Sequence, residues 1–164
     1  MMEEKEKAWK TVSSKYLFRR PWLTVRCEDM LLPNGNHIPE YYILEYPDWV
    51  NTIAITKDGK FVFVRQYRPR LGRTSYELCA GVCDKEDASP LVSAQRELWE
   101  ETGYGKGNWQ EYMVISANPS THTNLTHCFL ATNVEPIDHQ HLEDTEDLSV
   151  HLLTFEEVKQ LLEN

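Results

Sequence analysis

The segment from Ser89 to Tyr104 has both of its ends defined by side-chain chemistry. Ser89 followed by Pro90 is an N-cap and first-turn pair. The serine oxygen can accept from a free first-turn N–H, and proline has no N–H to leave unpaired. Gly103 supplies the left-handed residue that stops a helix, so a helix is expected over about residues 90–102. With Glu97 at zero on a wheel advancing ~100° per residue, Leu91, Ala94, Leu98 and Thr102 fall between roughly 60° and 140°, the buried stripe. Glu101 falls near roughly 40°, beside that stripe, and Glu100 near roughly 300°. Three carboxylates thus crowd one side of the helix at spacings where like charges repel, and partial burial sharpens the repulsion. Arg96 can pair with Glu100 across one turn, which leaves two acids uncompensated. Either the acids splay into water, or a hard divalent cation that prefers carboxylate oxygen, Mg²⁺ or Mn²⁺, sits among them.

The rest of the chain supplies strands for such a helix to pack on. Trp22 to Leu32 and His37 to Tyr46 read as strands around the Pro33-Asn34-Gly35-Asn36 turn. Thr52 to Thr56 and Phe61 to Tyr67 flank Lys57-Asp58-Gly59 as a second hairpin. Trp109 to Ser116, Leu125 to Thr132 and Leu148 to Leu153 read as further strands. Thr154-x-x-Glu157 is a capping box opening a helix from Phe155 to about Glu163. Many strands with two well-marked helices indicate an α+β mixed sheet with helices packed on it.

Composition removes several classes of function. At 164 residues and 41% hydrophobic, the chain can bury a core and reads as one domain. We expect residues 1–40 to form N-terminal strands and residues 41–164 the catalytic core. No apolar run reaches the ~20 residues of a membrane span, and the charged N-terminus lacks a signal peptide's apolar stretch. A cytoplasmic protein without a membrane partner is the expectation. A formal net charge of −9 argues against binding nucleic acid through its phosphates. Residues 135–164 hold nine acids against Lys159 alone, a net −8, which on its own describes a solvated acidic tail. Cys27, Cys79, Cys83 and Cys128 form neither a disulfide framework nor a zinc spacing, and read as small buried or half-buried residues.

Gly81 and the run Arg96-Glu97-Leu98-Trp99-Glu100-Glu101-Thr102-Gly103-Tyr104 resemble the Nudix box of the Nudix hydrolases. The second half matches that box at every fixed position. The first half departs from it. The family's loop glutamate falls here on Asp87, with Glu86 as the other candidate, and Arg96 lies one residue further on than usual. The resemblance implies an α/β/α sandwich around a mixed sheet, and hydrolysis of a nucleoside diphosphate linked to another moiety. It implies Glu97 and Glu101 as metal ligands, with Glu100 directly or through water and the carbonyl of Ala80 as a further ligand. Arg96 would orient a box carboxylate. Phe61-Val-Phe-Val-Arg-Gln-Tyr-Arg-Pro69, and Pro119 sixteen residues after Gly103, resemble the ADP-ribose pyrophosphatase branch. The Asn118-Pro-Ser-Thr-His-Thr123 loop departs from that branch's commoner form and leaves the sugar open. A sensing domain without turnover, or an enzyme for another nucleotide, is the alternative.

Arg65, Arg68, Arg70 and Arg73 lie within nine residues with no acid between them. They are either a solvated strand edge or a fork for phosphate oxygens. Arg65 and Arg68 cannot both face one way along a strand, and Arg68 is the favoured substrate contact. Tyr41, Tyr46, Trp49 and Tyr67 are candidates to stack on a base. His122 and His127 have no recognisable ligand spacing, while His139 and His141 sit in an acidic loop open to adventitious metal. The branch commonly pairs subunits through its N-terminal strands, which implies a homodimer involving Trp22. It also places its catalytic base in the loop before the last strand. That makes Glu146 the first choice here, with Asp144 or Glu143 in reserve.

Overall fold

The computed structural model describes residues 7–163. Those residues divide into two compact units, 7–47 with 116–124, and 48–115 with 125–163.

In the first unit, β1 (Lys10–Arg20), β2 (Leu23–Leu31) and β3 (His37–Glu45) form an antiparallel sheet in that order. β2 and β3 are the two strands expected around the Pro33–Asn36 turn. There Gly35 takes φ 87° and Asn34 Oδ1 accepts the Asn36 N–H at 3.0 Å. β1 was not foreseen. Its apolar residues follow no alternation, and every one of its positions is exposed. Segment 116–124 attaches to β3 through its backbone. The Leu44 N–H donates to Thr121 O at 2.8 Å, and the Thr123 N–H donates to Leu44 O at 3.1 Å.

The second unit is built on a mixed sheet of eight strands among the described residues. β4 (Trp49–Thr56) and β10 (Thr126–Pro136) run parallel at its centre. β5 (Phe61–Arg68) and β11 (Leu148–Leu153) extend one side in antiparallel register. β9 (Asn108–Ile115) pairs with the other side of β10. Three short strands complete it: β6 (Arg73–Glu77) on β5, β7 (Cys79–Val82) on β4, and β8 (Tyr104–Gly105) on β10. β6, β7 and β8 are too short for alternation to announce them.

Helix α1 (Pro90–Thr102) runs over the predicted range. Ser89 Oγ accepts from the Val92 N–H, and Gly103, at φ 73°, donates its N–H to Trp99 O at 2.8 Å. Leu98, buried completely, packs α1 into a cluster with Ala54, Val62, Cys79, Ala131 and Val134. Burying one such leucine contributes about 2 kcal/mol. Because strand side chains alternate, Val62 faces α1 while Phe61 points to the other side. There it meets Phe155 of α2 (Phe155–Glu163), ring centroids 6.3 Å apart. Helices on opposite faces of a mixed sheet make the expected α/β/α sandwich. α2 opens on its capping box: Glu157 Oε2 accepts the Thr154 N–H at 2.7 Å, and Thr154 Oγ1 accepts the Glu157 N–H at 3.3 Å. No helix among the described residues is long and apolar enough to cross a membrane.

Candidate active site

The acidic side of α1 lies against β7, the short strand that ends in Gly81 and Val82. Glu101, though ionisable, is 6% exposed. Its Oε2 accepts the Ala80 N–H at 3.3 Å, and the Cys79 thiol donates to the same carboxylate. Burial pushes this carboxyl up to about 7, helped by the charges of Glu97 and Glu146, while the two donors pull it back. Glu97 is also raised by burial and by Glu100 and Glu146, against the opposing pull of Arg96. Glu97 stands over Gly81. A Cβ on that glycine would meet the Glu97 carboxyl carbon at 2.1 Å, so only glycine leaves the carboxylate its place.

Arg96 organises the rest. Its guanidinium donates to Glu97 Oε1 and Glu100 Oε2, each at 2.9 Å, and to the Val82 carbonyl at 3.0 Å. It also donates twice to Asp87 Oδ2, at 3.0 and 3.1 Å. Burial alone would lower the Arg96 pKa, but the surrounding carboxylates outweigh it and raise it. Of the two acids left open in the loop, Asp87 is half-buried against Arg96 and Glu86 is exposed. The extra loop residue is absorbed before Pro90, where length costs little.

Glu146 lies in a turn closed by the Glu146 N–H on Glu143 O at 2.9 Å, and its own Oε2 accepts the Glu143 N–H at 2.9 Å. Its charge is felt at both Glu97 and Glu101. Arg68, at the end of β5, is clamped by Glu77, with Nε on Oε1 at 2.8 Å and Nη2 on Oε2 at 2.5 Å. The field of Glu101 reaches it as well. The alternation of β5 sets Arg68 with Val62 and Val64 on the α1 face. It turns Arg65 to the opposite face, over Tyr76 at 5.7 Å. Pro119 belongs to segment 116–124 of the first unit.

Among the proposed base-stacking residues, Tyr67 is 58% exposed and Trp49 39%. Tyr41 donates its hydroxyl to Ser120 O, and Tyr46 lies against His122 at 5.3 Å. His127 bridges Glu111 at 2.7 Å and Asp48 at 3.7 Å. Cys79 and Cys128 are buried and all four cysteines are free, as their spacing suggested. Glu77, Gln140 and Trp99 were missed. Glu77 reaches Arg68 across a hairpin, and Gln140 Nε2 caps Glu101 O at 2.7 Å from a loop 39 positions on. Neither pairing has a local signal.

The fold and this acidic helix define a Nudix domain. Residues 46–164 match the NUDIX domain, and residues 9–44 match the nucleoside diphosphate sugar hydrolase N-terminal domain. The chain belongs to the Nudix family and is a hydrolase of it. An ADP-ribose pyrophosphatase of Bacillus subtilis (strain 168) is 31% identical over 94% of this chain and 83% of its own length. A methanol dehydrogenase activator of Bacillus methanolicus is 30% identical over 93% and 82%. A GDP-mannose pyrophosphatase of Escherichia coli (strain K12) is 30% identical over 65% of this chain and 59% of its own. In fold, a crystal structure of an ADP compounds hydrolase superposes with a TM-score of 0.83, at 21% identity, covering 98% of this chain and 86% of that one.

Proposed function

We propose that the protein cleaves the pyrophosphate bond of a nucleoside diphosphate joined to a sugar, with ADP-ribose as the first substrate, giving AMP and ribose 5-phosphate. The convergence of the Glu97, Glu101 and Glu146 charges beside Ala80 and Gly81 of β7 carries this reading. The names of the Bacillus subtilis and Escherichia coli relatives support the substrate class.

The donor set fits a hard divalent cation. Glu101 is a buried carboxylate that makes no ion pair among the described residues, and Glu97 shares Arg96 with Glu100 and Asp87. Glu97, Glu101, Glu100 (directly or through water) and the Ala80 carbonyl would hold Mg²⁺ or Mn²⁺. When bound, the ion neutralises the diphosphate and stabilises the leaving oxygen. Arg68, oriented by Glu77, meets a phosphate oxygen. Glu146 accepts the proton of the attacking water. Arg96 touches no substrate and holds Glu97 and Glu100 in place. The substrate is a small molecule, and we also propose a homodimer paired through the N-terminal strands.

AMP release from ADP-ribose in the presence of Mg²⁺, within a panel of nucleotide sugars, dinucleotides and triphosphates, tests the reading. Glu101→Gln should lower turnover by a factor of about a hundred or more. Near-normal turnover in that variant would overturn the metal assignment. Tight ligand binding without product at any Mg²⁺ concentration would make the domain a sensor instead.

A further inference from the structure

Segment 137–141 brings together a second set of metal-ligating side chains, none of which belongs to the acidic face of α1. Asp138, His139 and His141 each offer one ligand atom, and the three atoms lie within 4.8 Å of one another. His139 Nδ1 is 2.7 Å from Asp138 Oδ1, and His141 Nε2 is 3.0 Å from Asp138 Oδ2. The two imidazole rings are 4.4 Å apart.

The backbone beneath these side chains is pinned to the end of α1. The Ile137 and Asp138 N–H groups donate to Gly103 O at 2.9 and 3.1 Å, and the His141 N–H donates to Glu100 O at 2.8 Å. A Cβ on Gly103 would come within 2.3 Å of Asp138 O, so the approach is too close for any residue but glycine. The His141 ring lies against Trp99 with centroids 4.2 Å apart. One imidazole is therefore fixed by packing, while the other, His139, is 79% exposed on a fixed backbone.

Two imidazoles bracketing one carboxylate can simply be a pair of surface ion contacts, and each alone would be worth little. Two features favour an ion. Two nitrogens and one oxygen make the donor set of borderline divalent ions, whereas Mg²⁺ takes oxygen. The site also lies at the C-terminal end of α1, where the helix dipole attracts positive charge.

We propose that Asp138, His139 and His141 form a site for a borderline transition-metal ion, Zn²⁺ being the type, with water completing the coordination. An ion there cross-links Asp138, His139 and His141 over a backbone that already hydrogen-bonds to the end of α1. The inference does not depend on the pyrophosphatase reading.

The test uses the full chain in excess Mg²⁺, which occupies the box carboxylates, titrated with Co²⁺ as a coloured stand-in for Zn²⁺. We expect one equivalent of Co²⁺ with a visible absorption band, displaced by Zn²⁺. In His139→Gln, at an exposed position that leaves the fold intact, the affinity should fall at least about tenfold. In the His139→Gln/His141→Gln double variant the band should vanish, with circular dichroism and Tm unchanged. Equal Co²⁺ affinity in the wild type and His139→Gln would overturn the site, because the ion would then sit elsewhere. Absence of any band in the wild type would overturn it too. Neither result touches the ADP-ribose assay, so the two readings fail separately.

Discussion

The most strongly shifted carboxyl of the site, Glu101, carries much of the pH dependence of the metal-free protein. Glu101 moves from an ordinary 4.5 to about 7 on folding, chiefly through burial. Between those values the folded chain keeps a proton that the unfolded chain has lost. Its favourable contribution is therefore fully present below the unfolded pKa and declines as pH rises through about 7, by on the order of 2–3 kcal/mol. In chelator, wild-type urea midpoints should fall between about pH 5.5 and about pH 8, and the Glu101→Gln slope should be clearly shallower. Equal slopes would mean that the carboxyl titrates normally. Gly81 is the complementary case. An added Cβ meets the tip of a flexible side chain, Glu97, rather than backbone, so the chain can yield by moving the carboxylate. Gly81→Ala should keep Tm within a few degrees while turnover drops at least about tenfold, the scale of a disturbed metal ligand. A large loss of Tm would place the glycine's role in the fold instead.

At the scale of the element, α1 and the loop before it work as a frame for three acids held by one arginine. Arg96 gives its fork to Glu97, Glu100 and Asp87 and still reaches the Val82 carbonyl. Lysine keeps the charge but has no planar fork. Arg96→Lys should raise the Mg²⁺ concentration needed for half-maximal rate by about 10–100-fold while leaving the substrate panel's ranking alone. An unchanged Mg²⁺ requirement would remove Arg96 from the positioning role. This helix was the most legible part of the chain, because every instruction for it is local: Ser89 and Pro90 at one end, Gly103 at the other, and a 3.6-residue stripe between them. α2 was legible for the same reason, through Thr154 and Glu157. β2 to β5 followed from alternation and turn residues. β7 and β8 had no alternation to read, since four and two residues cannot establish a period. The clamp of Glu77 on Arg68 and the cap of Gln140 on Glu101 were hidden for another reason. Both arise only when the sheet closes distant segments on each other.

At the scale of the whole molecule, the N-terminal sheet carries an unresolved physical demand. Among the described residues β1 is an edge strand, paired on one side by β2 alone, and it exposes Tyr16 at 43%, Leu17 at 43% and Phe18 at 57%. Trp22, in the turn that follows, is 69% exposed. Long apolar edges invite pairing unless something covers them. A second copy of the same surface answers this with closed two-fold symmetry, which a self-complementary patch allows and an open contact would not. Light scattering behind size-exclusion chromatography should therefore give twice the chain mass of 19.2 kDa. Phe18→Glu with Trp22→Glu should shift it to the monomer, since each places a charge in a surface that association desolvates. The acids proposed for catalysis belong to the other unit, so AMP release by the monomeric variant reports whether pairing matters to the chemistry. A wild type that elutes as a monomer at micromolar concentration would remove the dimer and leave β1 a bare edge in need of another cover.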